Sequence, residues 1–397
     1  YSLGADMANK DLKWETTITR NIGVDFGFFN SRLTGTIDAY WNTTKDLLMK
    51  TAIPGITGFT TTYANVGQTS NKGIEIALQG VLVKTRDWNV TAGFNINFNR
   101  GKVDKLADNV TGLYGTEWAT SSTFPKSDYV LKEGRPVGLV RGLTADGFYT
   151  TDDFTYENGV YTLKEGVADV SSAVFPNYHL HNGINERPAG QLAYPGMAKF
   201  KDLNDDGIIN DDDVDVIGDM TPVHTGGFNI NATYKNFDLG LYFNWSYGNE
   251  IYNVNKLAAL YGYKEGAVYE NKLSIVKDCY KIYDVVNGEL VALTTPEQLN
   301  AANANAKLPL AYSENGYVST LGIEDGSYLR LNTLTLGYTL PKSILQKAGI
   351  SNLRVYGSIY NVFTITGYSG IDAEVSTSTS TKTYPQLGMD WGTYPRA

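Results

Sequence analysis

Hydrophobic and polar residues alternate strictly along several long stretches of the chain. From Trp88 to Asn99, every even-numbered residue is apolar, and the residues between them are mainly asparagine. A period of two over this length predicts a β-strand with one apolar face and one polar face. Such a strand is about twice as long as the five or six residues that are usual in globular proteins.

The same alternation occurs in pairs of segments that are separated by only a few residues. Segments 228–234 and 237–247 flank a turn at Lys235, and a second pair flanks a turn near Asn30 and Ser31. Two long strands with so short a connection predict an antiparallel hairpin. The pattern predicts about ten strands in all. The remaining strands are expected near residues 62–82, 137–150, 328–340 and 352–366.

The length of the predicted strands distinguishes two classes of all-β fold. A soluble sandwich or propeller also alternates, but its strands are shorter and its turns come every 8 to 12 residues. A tilted transmembrane strand needs about 9 to 11 residues. Short turns here alternate with long unpatterned stretches, and this asymmetry is typical of outer-membrane barrels. The sequence therefore predicts an all-β, transmembrane antiparallel β-barrel. Its long extracellular loops are expected at residues 101–135, 151–224 and 255–326.

The alternation also predicts which side chains face lipid and which face the lumen. Asn95, Asn97 and Asn244 are expected to face a wet lumen. The residues expected to face lipid are Trp88, Val90, Phe94, Phe98, Leu239, Leu241 and Phe243.

Composition excludes several other kinds of protein. The 397 residues carry a formal net charge of -9, whereas a nucleic-acid partner would require a basic surface. A single cysteine, Cys279, excludes an internal disulfide framework. The sequence contains no run of eighteen or more apolar residues, so it predicts no transmembrane helix. The first residues do not resemble a signal peptide.

Catalytic signatures are absent from the sequence, and no enzyme activity is predicted. The chain contains three histidines, and His179 and His181 would share one face of a strand. Two histidines without a third ligand are more often loop or lumen residues than a metal site. We find no nucleophile elbow, P-loop or H-E-x-x-H motif.

One acidic segment, KDLNDDGIINDDD, has the spacing of a calcium-binding loop. With Asp202 as position 1, Asn204 and Asp206 occupy positions 3 and 5, the carbonyl of Ile208 is at position 7, and Asp213 is at position 12. Oxygen ligands at these positions, with a glycine at position 6, suit Ca²⁺. Asp at position 12 departs from the helical EF-hand and is closer to dockerin-type loops. A structural calcium ion in an extracellular loop is therefore expected, and the alternative is a solvated acidic turn.

Five long segments carry a family resemblance that covers nearly the whole chain. They are DLKWETTITRNIGVDFGFF, GFTTTYANVGQTSNKGIEIAL, EGRPVGLVRGLTADGFYT, VIGDMTPVHTGGFNINATYKNFDLGLYFNWSYGNEIYN, which follows the calcium loop, and GSYLRLNTLTLGYTLPKSILQKAGISNLRVYGSIYNVFTITGYSGIDAE. They resemble the C-terminal half of SusC/RagA-type TonB-dependent outer-membrane transporters of Bacteroidetes. The resemblance implies a 22-stranded barrel around a plug, in the cell outer membrane.

The same resemblance implies what the protein does and with which partners. It implies TonB-energised import of oligosaccharides or oligopeptides, with a SusD-like surface lipoprotein as a lid. Glycan uptake is favoured by family frequency, and oligopeptide import is the alternative. A non-transporting adhesin or structural barrel would show the same strands. The family's plug, its TonB box and its last strand are expected to lie outside this segment. The strands within the segment are expected to contact outer-membrane lipid.

Overall fold

A wall of long antiparallel strands organises the chain. The computed structural model describes residues 6–54, 56, 58–106, 111–116, 118–119, 123–175, 187–261, 273–311, 316–346, 349–375 and 387–391. Within these residues, eight long strands form one sheet in which each strand pairs with its neighbours along the chain. They are β1 (Thr16–Phe28), β2 (Leu33–Lys45), β3 (Gln68–Lys84), β4 (Trp88–Lys105), β5 (His224–Tyr234), β6 (Phe237–Tyr247), β7 (Tyr328–Thr339) and β8 (Arg354–Thr366). We call this sheet the wall.

The connections at the two ends of the wall differ greatly in length. At one rim, residues 29–32, 85–87, 235–236 and 340–353 join successive strands, and the last connection contains the short helix Lys342–Leu345. Asn30 and Lys235 have positive φ angles of 55° and 53°, as tight turns require. The opposite rim carries three long connections, residues 46–67, 106–223 and 248–327. The predicted hairpins and the predicted rim asymmetry are both confirmed.

The structure corrects two of the expected strands. Segment 137–150 does not join the wall, and it forms Leu139–Leu143 and Ala145–Phe148 in smaller sheets. Leu139, Val140 and Leu143 are fully buried, so this run is apolar because protein covers it and not because lipid does. Segment 62–82 is divided, with Thr61–Asn65 in a separate sheet and β3 beginning only at Gln68.

The described residues of the two longest connections, together with residues 367–375 and 387–391, fold into a compact body. We call it the loop body, and it consists of the described residues within 106–223 and 248–327 and of residues 367–375 and 387–391. Its helices are Val254–Tyr261 and Pro296–Asn303, with 3₁₀ turns at Thr151–Asp153, Asp211–Asp213, Ser274–Asp278 and Thr320–Gly322. Its strands are Leu113–Gly115, Thr123–Phe124, Tyr129–Leu131, Leu139–Leu143, Ala145–Phe148, Phe154–Glu157, Val160–Leu163, Asp169–Val170, Ala198–Phe200, Ile208–Ile209, Val214–Asp219, Glu250–Asn253, Tyr283–Val286, Glu289–Ala292, Gly316–Tyr317, Ile323–Asp325 and Met389–Asp390. The connection 46–67 forms a three-stranded sheet of Leu48–Ala52, Thr61–Asn65 and Asp6–Met7.

The loop body has a hydrophobic core of its own. Tyr149, Tyr161, Leu257 and Leu299 are completely buried in it. The helix Pro296–Asn303 starts at a capping box, because the Thr295 hydroxyl accepts from the Gln298 amide while Gln298 Oε1 accepts from the Thr295 amide at 3.2 Å. None of the helices in the described ranges has the length and apolarity needed to cross a membrane.

Candidate transport surface

The outer face of the wall is a continuous apolar surface. Phe94 on β4 pairs with Phe228 on β5, which pairs with Phe243 on β6. The rings of Phe228 and Phe243 stack with centroids 4.3 Å apart, and Phe94 stacks on Trp245 at 5.6 Å. Cross-strand aromatic pairs of this kind stabilise a sheet and cover its face with apolar surface.

Aromatic pairs mark the lower end of this apolar band. Trp88 packs on Tyr234 with centroids 4.4 Å apart, and Phe237 packs on Tyr338 at 4.7 Å. Phe98 lies ten residues further along β4 and touches His224 near the other rim. At about 3.3 Å per residue and a tilt of about 40°, ten residues span roughly 25 Å of bilayer. This is the height of the apolar band of an outer-membrane barrel.

The inner face of the wall is rich in amides and hydroxyls. Asn95, Asn229 and Gln79 line a hollow of about 470 Å³ together with Asp25 and Thr36. Gly93 lies at its floor, where a Cβ would come within 2.6 Å of Asn229 Nδ2. The absence of a side chain at Gly93 therefore leaves room above the sheet for the amide groups of Asn229 and Gln79.

A second hollow, of about 270 Å³, lies lower on the same face. Tyr242 donates its hydroxyl proton to Asn231 Oδ1 at 3.1 Å, and Arg354 binds Asp238 through two nitrogens at 2.9 and 2.5 Å. Both hollows offer hydrogen-bond donors and acceptors along the surface of the wall. Such groups can replace the water molecules that a polar solute gives up when it binds.

A buried arginine ties the wall to the loop body. Arg330 on β7 is almost fully buried and pairs with Asp372 and with Glu374, the latter at 3.0 Å. Its Nε also donates to Thr364 on β8 at 3.0 Å. Since an unpaired charge at such a site is costly, this network fixes segment 372–374 against the inner face.

The structure places the predicted lipid-facing and lumen-facing residues on opposite faces of the sheet. Leu239, Leu241 and Phe243 lie in the same outward rows as Val90, Phe94 and their partners. Asn95 is exposed on the inner face, whereas Asn97 and Asn244 are partly covered. Asn244 donates to the Tyr328 hydroxyl at 3.3 Å.

The acidic segment 202–213 forms a closed loop on the loop body. Asp202 accepts from the amides of Asp206 and Gly207 at 3.3 and 2.7 Å, and Asn204 Nδ2 lies 3.0 Å from Asp206 Oδ2. Gly207 has a φ of 84°, which explains the glycine at position 6. The side chains at positions 1, 3 and 5 therefore converge.

The carboxylate at position 12 is engaged differently. Asp213 is buried, and its oxygens accept from the amides of Leu203 and Asn210 at 2.7 and 2.8 Å. Within the described residues, no three His, Cys, Asp or Glu side chains are grouped as metal ligands. His179 and His181 lie outside the described residues, and His224 stacks on Tyr247 on the outer face.

Ion pairs strengthen the loop body from within. Lys199 donates to Asp153 at 2.7 Å, and both side chains are mostly buried. Burial by itself raises the pKa of Asp153, but the bonds from Lys199 and Thr150 outweigh it and hold that pKa below its ordinary value. Burial likewise raises the pKa of Glu324. The hydrogen bonds from Ser369 and Lys256 outweigh this effect and hold that pKa below its ordinary value.

Comparison with known proteins assigns the family. The family model described as "TonB dependent receptor-like, beta-barrel" matches residues 1–362. The chain belongs to this family of TonB-dependent receptor barrels. The family resides in the outer membrane and consists of receptors and transporters, not of enzymes.

Relatives and solved structures agree with this assignment. TonB-dependent receptor P3 of Formosa agariphila is 30% identical over 98% of this chain and 34% of its own length. TonB-dependent receptor SusC of Bacteroides thetaiotaomicron is 28% identical over 98% of this chain and 31% of its own length. The chain thus spans about a third of the curated relatives it matches. The RagAB peptide transporter shares the fold, with a TM-score of 0.66 and 24% identity, over 98% of this chain and 35% of its own.

The sequence did not indicate the Arg330 network or the Asp238–Arg354 pair. Both join residues that are far apart in the chain, by 34 to 44 positions in the first case and 116 in the second. An arginine between two leucines near the start of a strand, as Arg330 is, was the one available signal.

Proposed function

We propose that the protein imports oligosaccharides across the outer membrane, energised by TonB and working with a SusD-like surface lipoprotein. The observation that carries this proposal is the two-faced wall, apolar outside and lined with amides and hydroxyls inside. Neutral amides such as Asn95, Asn229 and Gln79 both donate and accept hydrogen bonds, as sugar hydroxyls do. Family membership supports transport as the role of that face.

The loop body supports the proposed partnership with a lipoprotein. It is the folded part of the rim that carries the long connections, with a core that includes Tyr149, Tyr194 and Leu257. A body with its own core presents a fixed surface. Docking of a lid onto such a surface costs less conformational entropy than docking onto a flexible loop.

A second candidate substrate class, oligopeptides, is favoured by one pair of acids. Asp38 on β2 and Glu75 on β3 are direct cross-strand neighbours on the inner face. Like charges directly opposite each other destabilise a sheet unless a cation lies nearby. The ammonium groups of a peptide would provide such a cation, whereas a neutral glycan would not.

Uptake assays in cells test the proposal. A strain that expresses the whole transporter should accumulate labelled oligosaccharides, and deletion of its gene or of TonB should abolish the accumulation. Asn95→Ala with Gln79→Ala should lower glycan uptake, whereas Asp38→Asn with Glu75→Gln should lower only peptide uptake. Uptake that is the same with and without the gene would contradict transport and favour the adhesin alternative.

We further propose a structural calcium ion in loop 202–213. The ligand set would be the side chains of Asp202, Asn204 and Asp206 with the carbonyl of Ile208, and the spacing of the sequence extends it to Asp213. All are hard oxygen donors of the kind Ca²⁺ prefers. The ion would hold this extracellular loop in one shape where the lipoprotein docks.

A further inference from the structure

A row of basic side chains crosses the outer face of the wall near the rim that carries the loop body. Arg20 on β1 pairs with Trp41 on β2, Trp41 pairs with Lys72 on β3, and Lys72 pairs with Arg100 on β4. All four side chains are exposed. We call these four residues the basic row.

The basic row marks the upper boundary of the apolar band. Two residues below it on the same face of β1 to β4 lie Ile22, Ala39, Ile74 and Phe98. From there down to the aromatic pairs at the other rim, the outward positions of these strands carry no charge. Two residues along a strand are about 7 Å, so the cations lie at the depth where lipid headgroups begin.

The row borders a groove. Trp41, Lys72, Arg100 and Lys102 line a space of about 660 Å³ that Pro136 and other residues of the loop body also line. That volume is in the range of small-molecule binding sites. Asn42 and Asn71, which lie on the other face of the strands, also line this space, so the groove lies at the rim where the wall meets the loop body. Its outward edge is formed by the exposed side chains of Trp41, Lys72 and Arg100.

The charge in the groove is mostly uncompensated. No salt bridge involves Arg20, Lys72 or Arg100 within the described part of the chain, and Lys102 pairs with Asp104 at 3.1 Å. Arg100 donates to the carbonyl of Pro222 at 2.8 Å, which orients its guanidinium without neutralising it.

One acid also lines the groove, and it is already engaged. Asp219 Oδ1 accepts from the Thr221 amide at 3.0 Å and from the Thr221 hydroxyl. Against this one acid the groove carries Lys72, Arg100 and Lys102, so it has an excess of positive charge. The exposed indole of Trp41 lies between Arg20 and Lys72 of the basic row.

We propose that the basic row and its groove bind the phosphorylated headgroup of an anionic glycolipid of the outer leaflet. The phosphate groups contact Arg20, Lys72 and Arg100, a sugar ring lies against Trp41, and the acyl chains lie along the apolar band below. Three strand spacings separate Arg20 from Arg100, about 14 Å, which suits a headgroup larger than a single phosphate. The family's outer-membrane location supplies the lipid, so this inference does not depend on the transported substrate.

The apolar band directly beneath the cations argues for a lipid over an acidic protein. A protein partner that bound the row would leave that band no better covered than before. The other half of the wall shows the contrast, because the outward end residues there are His224, Tyr247 and Ile365, and none is Lys or Arg. The site is thus confined to β1 to β4.

Binding of defined glycolipids by the purified whole transporter tests the proposal. Detergent-purified protein would be incubated with labelled lipid A, either phosphorylated or enzymatically dephosphorylated, and the retained lipid measured by native mass spectrometry. The triple variant Arg20→Gln, Lys72→Gln, Arg100→Gln should bind phosphorylated lipid about a hundredfold more weakly than wild type, since each of the three cations contributes about 1 kcal/mol near an anionic lipid. Lys235→Gln, at the opposite rim, is the matched control and should retain as much as wild type.

Further arms separate the proposal from its alternatives. The variant Arg20→Lys with Arg100→Lys keeps the charge and should retain the lipid, and heat-modifiable gel migration shows whether each variant is folded. Equal retention of phosphorylated and dephosphorylated lipid A by wild type would overturn the proposal. So would full displacement by millimolar inorganic phosphate, which would indicate a site for free anions, or unchanged retention by a folded triple variant.

Discussion

The wall and the loop body use the same aromatic residues in opposite ways. On the wall, Phe94, Phe228 and Phe243 point outward and pack along the surface against one another and against the neighbouring rings of Trp245 and Phe363. In the loop body, Tyr149 and Tyr161 are completely buried, and each donates its hydroxyl to a backbone carbonyl, at 2.6 and 2.9 Å. The difference is one of solvent, since lipid covers the first set and protein covers the second.

Polar side chains show the complementary difference. On the wall, asparagines face inward, and the side chain of Asn95 is exposed there. In the loop body, carboxylates that enter the core are held by backbone groups, as Asp213 is by two amides. The alternation of hydrophobic and polar residues therefore describes the strands of the wall and their two faces, whereas the loop body depends on specific contacts between distant residues.

The largest effect is expected in the core of the loop body. Tyr149→Ala should destabilise that body by about 3–5 kcal/mol, because it leaves a cavity and an unbonded carbonyl at Ala168. Limited proteolysis of the whole transporter should show faster cleavage of the loop body, while heat-modifiable migration of the barrel stays unchanged. Tyr242→Ala, on the exposed inner face, is the control. If the variant lost both the protease resistance of the loop body and the heat-modifiable migration of the barrel, the two regions would unfold as one unit.

A charge on the outer face should be the next most damaging change. Leu241 lies near the middle of the apolar band, and Leu241→Arg is expected to cost about 2–4 kcal/mol because lipid cannot solvate the guanidinium. Asn95→Arg places the same group on the wet inner face and should be tolerated. Refolding yields into lipid vesicles measure both. Equal damage from the two substitutions would contradict the assignment of faces.

The loop body should also depend on pH through Asp153. The pKa of Asp153 in the folded protein lies below its ordinary value of 3.8. The bond to Lys199 therefore stabilises the loop body fully above about pH 4, and this stabilisation is lost as the pH falls through the pKa of the folded protein. Asp153→Asn should cost about 1.5–3 kcal/mol at pH 7. Proteolysis rates at pH 7 and pH 3 should show the gap to wild type closing at the lower pH. The exposed neighbour provides the control Asp152→Asn, and a gap of the same size at both pH values would refute the assignment.

The wall could be predicted from the sequence because a single physical rule fixes it. A strand between lipid and water must alternate, and Trp88 to Asn99 does so without exception. The turn at Lys235 follows from the same pattern, since the alternation stops on one side of it and resumes on the other. Registers and faces then follow from antiparallel pairing.

The loop body could not be predicted in the same way. Leu139–Leu143 is buried on both faces, so it lacks the alternation that would separate it from a lipid-facing strand, and the segment around it was misassigned for that reason. Contacts such as that of Tyr161 with the carbonyl of Thr294, 133 positions away, leave no periodic trace. The basic row was missed for a different reason, because it becomes visible only when the registers of four strands are known.

The smallest expected effect concerns calcium and loop 202–213. If free calcium is about ten times its dissociation constant, binding stabilises the loop by about 1.4 kcal/mol. Removing calcium with a chelator should therefore speed proteolytic cleavage of this loop and leave the rest of the loop body unchanged. Asp202→Ala and Asp206→Ala should abolish the effect of the chelator, because both side chains lie among the converging groups of the loop.

Asp205→Ala is the matched control for the calcium prediction. Asp205 occupies position 4 of the loop, which supplies no side-chain ligand, and its positive φ of 57° belongs to the turn itself. The variant removes the same charge as Asp202→Ala and should still respond to the chelator. Metal analysis after dialysis against millimolar calcium should find one ion per wild-type chain. If wild type holds no calcium, the closed hydrogen bonds of Asp202 and Asp213 are sufficient to form the loop, and its remaining charge is neutralised by solvent alone.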